Sequence, residues 1–323
     1  MRVFCDIADI PDDARGSVVA IGNFDGVHQG HRSVIDEAVR AARAKSAPSG
    51  IMTFEPHPRT FFKPGNPVFR LTPEAAKLEL MAALGVDQAL VLPFTKDLSA
   101  RDARTFVEDF LVDGLGVSHV VVGYDFQFGR GRDGNPGVLA ALGDEFGFEV
   151  TAVAKFEAGD GEPVSSSKVR DCLKDGDVAG AARLLGYRWF VVSEIIHGDK
   201  RGRDLGYPTA NMSLSADCQL RHGVYAVRMR VGDMVLQGVA SYGRRPQFVA
   251  GPPLLETFIF DFSGDLYGEA AEVEFVGFLR AEEVFPSVEH LIAQMGRDTA
   301  QARAGLASME TEPFGPDALS KVA

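Results

Sequence analysis

The stretch GNFDGVHQGH, Gly22 to His31, sets two histidines three residues apart where an apolar strand hands over to a helix. Residues Ser17 to Ile21 (SVVAI) read as a short buried strand, and HRSVIDEAVRAARA from His31 reads as an amphipathic helix. Gly22 and Gly26 permit a tight turn between them, with Asn23 and Phe24 inside it. A strand-turn-helix junction of this kind offers free backbone N–H groups and the positive end of a helix macrodipole, which suits phosphates. His28 and His31 then face one way and add two imidazoles where charge builds on a phosphoryl group under attack. Gly22, Asn23 and Phe24 are expected to line the same nucleotide. The competing readings of the histidine pair are coincidence, which the strand-turn-helix context argues against, and a zinc site, which no HExxH or CxxC pattern completes.

Outward from this junction, apolar runs alternate with helical patterns. GIMTF, ALVLPF, HVVVGY and FEVTAVAKF read as further strands. Helices are expected near Pro73–Leu84, Arg101–Val112 and Gly137–Phe146. This is the pattern of an α/β domain with a parallel, Rossmann-like sheet, whose ligands sit at the carboxyl ends of the strands. From about Arg188 the texture changes to short β-rich segments: WFVVSEII, GVYAVRMRVG, MVLQGVASYG, LLETFIFDF and AAEVEFVGFL. These read as an antiparallel barrel or sandwich, followed by a helix near Ser287–Leu306. The expected domains are 1–186 and 187–310, with a polar tail at 311–323.

The 323 residues leave room for two cores, and 46% hydrophobic content describes an ordinary globular chain. Cys5, Cys172 and Cys218 are scattered and odd in number, which argues against a disulfide framework and for a reducing compartment, the cytoplasm. The N-terminus lacks the pattern of a secretory signal, and no run of about 18 apolar residues occurs. A net charge of −12 disfavours nucleic acid as the main partner. The expected partners are therefore small phosphorylated molecules, with neither membrane nor obligate protein partner implied.

Three more segments carry chemistry. GYDFQFGRGRDGN places Asp125, Phe126 and Phe128 beside Arg130 and Arg132, groups suited to a planar aromatic ligand with phosphates, although either phenylalanine could equally be a core residue. VSSSKVR, Val164 to Arg170, opens a helix with Ser165 and Ser166 ahead of Lys168 and Arg170. One serine is a natural N-cap, and the combination reads as a second phosphate-binding helix start. HGDKRGRDLGYPTANM, His197 to Met212, is a basic glycine-rich loop. Gly198 and Gly202 can let the backbone approach phosphates, Lys200 can offset their charge, and the oxygens of Thr209 and Asn211 suit Mg2+. A solvated basic turn is the alternative. His57, in FEPHP, reads equally as structural or functional.

GNFDGVHQGH, FEPHPRTFF, GYDFQFGRGR and VSSSKVR, in that order, resemble the adenylyltransferase module of bacterial bifunctional riboflavin kinase/FAD synthetases, within the HxGH nucleotidyltransferases. GRDLGYPTAN, HGVYAV, LETFIFDFSGDLYG and FLRAEEVFPSVEHLIAQM resemble the kinase module, a six-stranded antiparallel barrel. The resemblance implies phosphorylation of riboflavin to FMN by ATP, then FMN + ATP → FAD + pyrophosphate, with Mg2+ as cofactor. It further implies that His28 and His31 stabilise the adenylyl transition state while Ser165, Ser166 and Arg170 hold ATP phosphates. In the barrel it implies Mg–ATP at Thr209 and Asn211, with Glu256 as the base for the ribityl hydroxyl.

Ser241, Gln247 and Phe258 stand where members commonly have Asn, Thr and His, and Ser193 replaces a usual glycine. None of these removes the expected base or magnesium ligands, so a working kinase is expected, with flavin affinity the property they bear on. The alternatives are a monofunctional FAD synthetase with a non-catalytic flavin-binding barrel, a flavin-binding protein without turnover, and an HxGH transferase for another phosphorylated acceptor.

Overall fold

The computed structural model describes residues 1–157, 163–198, 206–244, 253–309 and 311–319. The chain forms two compact units, Met1–Ser166 with Leu319, and Ser167–Ala318, dividing at the first residue of the helix that opens the second.

In the first unit, β1 (Arg2–Phe4), β2 (Val18–Ile21), β3 (Ser49–Glu55), β4 (Gln88–Pro93), β5 (His119–Gly123) and β6 (Glu149–Val153) form one sheet in the order β1-β4-β3-β2-β5-β6. Every pairing is parallel. All four residues of β2 are buried, as expected of a central strand covered on both faces. From β2 the chain builds outward through β3 and β4, then returns to place β5 on the other side of β2. The strand order therefore reverses between β2 and β5, the kind of switch point at whose carboxyl ends open α/β sheets bind ligands. GNFDGVHQGH follows β2 and GYDFQFGRGRDGN follows β5, so the two motifs border that switch point.

The helices α1 (Gln29–Lys45), α2 (Pro58–Phe62), α3 (Glu74–Ala83), α4 (Lys96–Ala100), α5 (Ala103–Phe106) and α6 (Pro136–Phe146) connect these strands. The single helix expected near Arg101–Val112 is instead α5 running into a π-helical turn, Val107–Gly114. The edge strand β1 was not anticipated: three residues, two of them exposed, carry no readable periodicity.

In the second unit, α7 (Ser166–Asp175) and α8 (Val178–Leu185) precede a closed antiparallel barrel. Its strands are β7 (Phe190–Ile196), β8 (Thr209–Ser213), β9 (Gly223–Val231), β10 (Met234–Gly243), β11 (Leu254–Ile259) and β12 (Ala270–Arg280), in the order β10-β11-β8-β7-β12-β9. Five of the six match the β-rich runs in the sequence. The sixth, β8, is the TANMS segment that follows the glycine-rich loop. Trp189, Tyr225 and Phe275 are wholly buried, with Trp189 stacked on Phe275 at 5.2 Å and Tyr225 edge-on to it at 5.2 Å. The last helix, α9 (Val288–Leu306), is capped by Ser287 and lays Ala302 and Leu306 against Phe260 and Phe258.

After α9 the chain is fastened by Arg228. Its guanidinium donates to Glu274 Oε2 (2.7 Å) and to the carbonyls of Met309 (3.1 Å), Glu312 (2.7 Å) and Pro313 (3.0 Å), with Phe314 against its face. Burial pushes the Glu274 carboxyl up, opposed by the Arg228 charge. Cutting one partner from a buried pair leaves the other charge uncompensated, at a cost of about 3–5 kcal/mol. Arg228→Met is expected to lower barrel stability by about that amount in denaturant titration, and Arg228→Met/Glu274→Leu to recover much of it.

Candidate functional site

The turn from Gly22 to His28 is wound tightly. Phe24 (φ 48°), Gly26 (φ 88°) and Val27 (φ 39°) all take positive φ, and for the two non-glycine residues this costs of order 1–3 kcal/mol each. Surrounding groups hold it in place. The amides of Leu71 and Thr72 both donate to Asp25 Oδ1 at 3.0 Å, and the Gly26 amide donates to Thr72 Oγ1 at 2.9 Å. Thr53 Oγ1 donates to the Asn23 carbonyl (3.3 Å), and Ser166 Oγ donates to the Asp25 carbonyl (2.8 Å). The Phe24 ring is buried between Gly22 and His31, edge-on to the latter at 5.4 Å.

His28 is the N-cap of α1, which therefore begins at Gln29, two residues before the expected start. The His31 amide donates to His28 Nδ1 at 3.2 Å, which assigns the His28 ring proton to Nε2. The two imidazoles stack at 3.6 Å with planes 16° apart. A Cβ at Gly30, the second of the two residues between the histidines, would stand 3.2 Å from His28 Cε1 and 3.3 Å from Nδ1, so the His28 ring would have to give by a few tenths of an ångström. The structure thus brings the pair together at the start of a helix, beside the sheet's switch point.

The other positions singled out in this half are placed differently from one another. Asp125 is exposed, Phe126 half-buried, and Phe128 buried in the core against Phe106 (5.6 Å), its ring stacked on Phe126 at 5.4 Å. Ser165 and Ser166 stand at the start of α7, with Arg170 buried one turn further on. His57 N-caps α2, its Nδ1 accepting from the Arg59 amide at 3.1 Å.

Sequence reasoning missed a buried polar group behind the turn, made of Thr53, Glu55, Arg70, Thr72 and Lys77. Lys77 is 1% exposed. A signal was present: α3 buries Ala76, Leu80 and Met81, and Lys77 falls on that same face, where a charge needs a partner.

In the barrel, Asn211 of β8 is directly opposite Glu256 of β11, Thr209 is opposite Phe258, and Ser241 is opposite Glu256. All five side chains share one face of the sheet. Their neighbours Met212, Leu255 and Tyr242 point the other way and are almost wholly buried inside the barrel, so this face is its outer wall. Asn211 is itself 3% exposed. Its Nδ2 donates to the Thr209 carbonyl at 3.1 Å, while Oδ1 is buried without a hydrogen-bond partner among the described residues. Gly198 lies directly over it: a Cβ there would come 2.5 Å from Asn211 Nδ2.

The departures noted in the sequence separate in space. Ser193 belongs to the opposite face, and its hydroxyl donates to the Ser213 carbonyl at 3.0 Å. Phe258 packs edge-on to Tyr207 (4.9 Å) and Phe260 (5.9 Å). Lys200, Gly202 and Gln247 lie outside the described residues. Among the described residues no group of three or more His, Cys, Asp and Glu gathers as a metal site, and no helix is long and apolar enough to cross a membrane.

The FAD synthetase family model matches residues 10–168, and the riboflavin kinase family model matches residues 185–306. The bifunctional riboflavin kinase/FMN adenylyltransferase of Listeria monocytogenes is 40% identical over 91% of this chain and 93% of its own length. That of Escherichia coli (strain K12) is 39% identical over 89% and 92%, and that of Bacillus subtilis (strain 168) is 34% identical over 91% and 93%. The chain belongs to this bifunctional family. A solved structure described as a macrolide-efflux protein from Streptococcus pneumoniae shares its architecture, with a TM-score of 0.83 and 29% identity over 93% of this chain and 98% of that one.

If the stacked pair serves the adenylyltransferase half of the family's chemistry, Gly30→Ala should displace the His28 ring. It is expected to slow FMN adenylylation by about tenfold while leaving riboflavin phosphorylation unchanged, in assays started from each flavin separately.

Proposed function

We propose that this chain makes FAD in two steps at two separate sites: riboflavin is phosphorylated by ATP on the wall of the barrel, and FMN is then adenylylated at the parallel-sheet switch point with release of pyrophosphate. The observation that supports this best is that both sites are assembled in one chain, the stacked His28–His31 pair at a helix start and the Asn211–Glu256 pair across β8 and β11. The relatives that share both halves are bifunctional, which favours this reading over an FAD synthetase with an inert barrel.

At the first site the FMN phosphate attacks the α-phosphorus of ATP. It is already anionic at neutral pH, so alignment and charge neutralisation matter more than a base. His28 presents Nε2–H, the nitrogen left protonated when Nδ1 accepts the His31 amide, and His31 stacks against it as the second donor. The backbone of Gly22, Asn23 and Phe24, with Ser165, Ser166 and Arg170, is assigned to the nucleotide phosphates. Asp125 and Phe126 are assigned to the flavin, with Phe128 buttressing Phe126 from the core.

At the second site the ribityl hydroxyl is a weak nucleophile, and Glu256 is assigned as the base that takes its proton. Asn211 Oδ1, buried and unsatisfied among the described residues, is the kind of oxygen that fits Mg2+, and the Thr209 hydroxyl lies on the same face two residues away. Bound Mg2+ would neutralise phosphate charge there. Gly198, Lys200 and Gly202 are assigned to the ATP phosphates. We assign the functional division to 1–186 and 187–310 and the enzyme to the cytoplasm, a reading that its three free cysteines fit.

Separate assays of the two steps test the reading. His28→Ala and His31→Ala are each expected to lower FAD formation from FMN by about 10²–10³-fold and to leave FMN formation intact. Glu256→Gln is expected to lower FMN formation by about 10²–10⁴-fold and to leave adenylylation of supplied FMN intact. Loss of both activities in every variant would contradict two independent sites.

A further inference from the structure

Behind the histidine turn lies a group of charges centred on Lys77, Glu55 and Arg70. Lys77 Nζ donates to Glu55 Oε1 (2.9 Å), to Thr53 Oγ1 (3.1 Å) and, at 3.5 Å, to the Asn23 carbonyl. Arg70 grips the same carboxylate with both nitrogens, at 2.7 Å to Oε2 and 2.6 Å to Oε1, and its Nε stands 4.0 Å from Asp25 Oδ1. The side chains of Lys77 and Asp25 are 2% and 3% exposed, those of Glu55 and Arg70 17% and 20%. Two cations and two anions are thus withdrawn from water as a balanced set. Burial pushes the Lys77 ammonium down, opposed by Glu55. Burial also pushes the Glu55 carboxyl up, but Arg70 and Lys77 together overcome this and hold it below its ordinary value.

Such a set is a poor device for stability alone, because well-packed apolar side chains commonly do as well in its place. What it does is fix geometry, and its contacts end on the turn. Lys77 and Thr53 both hold the Asn23 carbonyl, and Asp25 accepts the Leu71 and Thr72 amides. Thr72 Oγ1 accepts the Gly26 amide, and Arg70 donates to the Thr72 carbonyl at 3.4 Å. Three of the four residues from Asn23 to Gly26 are held in this way, immediately before His28 and within a backbone of positive φ that does not hold itself.

We propose that Lys77, Glu55 and Arg70 are positioning residues for adenylyl transfer: through Asn23, Asp25 and Thr72 they hold the turn in the conformation that aims His28 and His31 at the reacting phosphate. The inference rests on the reading of that histidine pair as the adenylyl-transfer site. A displacement of about 1 Å in a group that aligns the reaction costs about 10²-fold in rate, so the effect belongs in kcat.

Lys77→Met, Lys77→Arg and the isosteric Thr72→Val, made in the full chain, test it against wild type and His28→Ala. Initial rates of FAD formation are measured over FMN and ATP concentration, riboflavin phosphorylation is followed in the same preparations, and thermal unfolding is recorded. Lys77→Met is expected to lower kcat for adenylylation by about 10²-fold with both KM values within about threefold, and to spare riboflavin phosphorylation. Lys77→Arg, which keeps a donor to Glu55, is expected to recover most of the rate.

Should Lys77→Met fail to fold, Thr72→Val carries the test, with a several-fold loss in kcat expected. A lowered melting temperature with unchanged kcat in the folded variants would overturn the inference and leave the network a purely structural one. Retention of FAD formation by His28→Ala would instead overturn the reading of the site itself, so the two failures are distinguishable.

Discussion

The adenylyl-transfer half of this molecule depends on one turn. Between β2 and α1 the chain takes positive φ at Phe24, Gly26 and Val27, and that curvature is what allows His28 to cap α1 and stack on His31 one helical turn later. A non-glycine residue pays for that conformation, so the turn persists only where its surroundings determine it. Here they do so from two directions: the Phe24 ring packed on Gly22 and His31, and the polar set from β3, α3 and the 70–72 segment grasping the turn's own backbone.

The same constraint relates the sheet to the chemistry. Strand β2 is central and buried, so its carboxyl end is a rigid platform, and it lies at the reversal of strand order between β2 and β5, where open α/β sheets bind ligands. The loop bearing Asp125 and Phe126 leaves β5 at that point. The barrel uses another arrangement. Its interior is filled by apolar side chains such as Met212 and Leu255, and the polar residues Thr209, Asn211 and Glu256 occupy the outer wall. In the proposed reading, one half offers a helix start to phosphates, whereas the other offers a pleated surface with a buried amide oxygen.

Much of this was legible in the sequence, for physical reasons. Val18–Ile21 is a continuous apolar run because both of its faces are covered, and the histidine spacing reports a helix start because His28 is the cap. The order of motifs along both halves was specific enough to place the family before any geometry. The positions of Asn211 and Glu256 in their motifs were visible too, but their pairing across β8 and β11 follows from register, which a single strand's pattern does not state.

What escaped the sequence was long-range or local in an unusual way. Lys77 gains meaning only when α3 packs behind the turn and brings it to Glu55, 22 residues earlier in the chain. Nothing in the local pattern around Arg228 states that it donates to three carbonyls of the segment after α9. Phe128 could be read as ligand contact or core with equal reason, because alternation in a loop does not say which side faces the protein. The measurement that bears most directly on the central claim is a time course of the purified chain with riboflavin, ATP and Mg2+, resolving riboflavin, FMN and FAD by chromatography. The account predicts FMN first and FAD after a lag; FAD formed from supplied FMN, with no product from riboflavin, would contradict it.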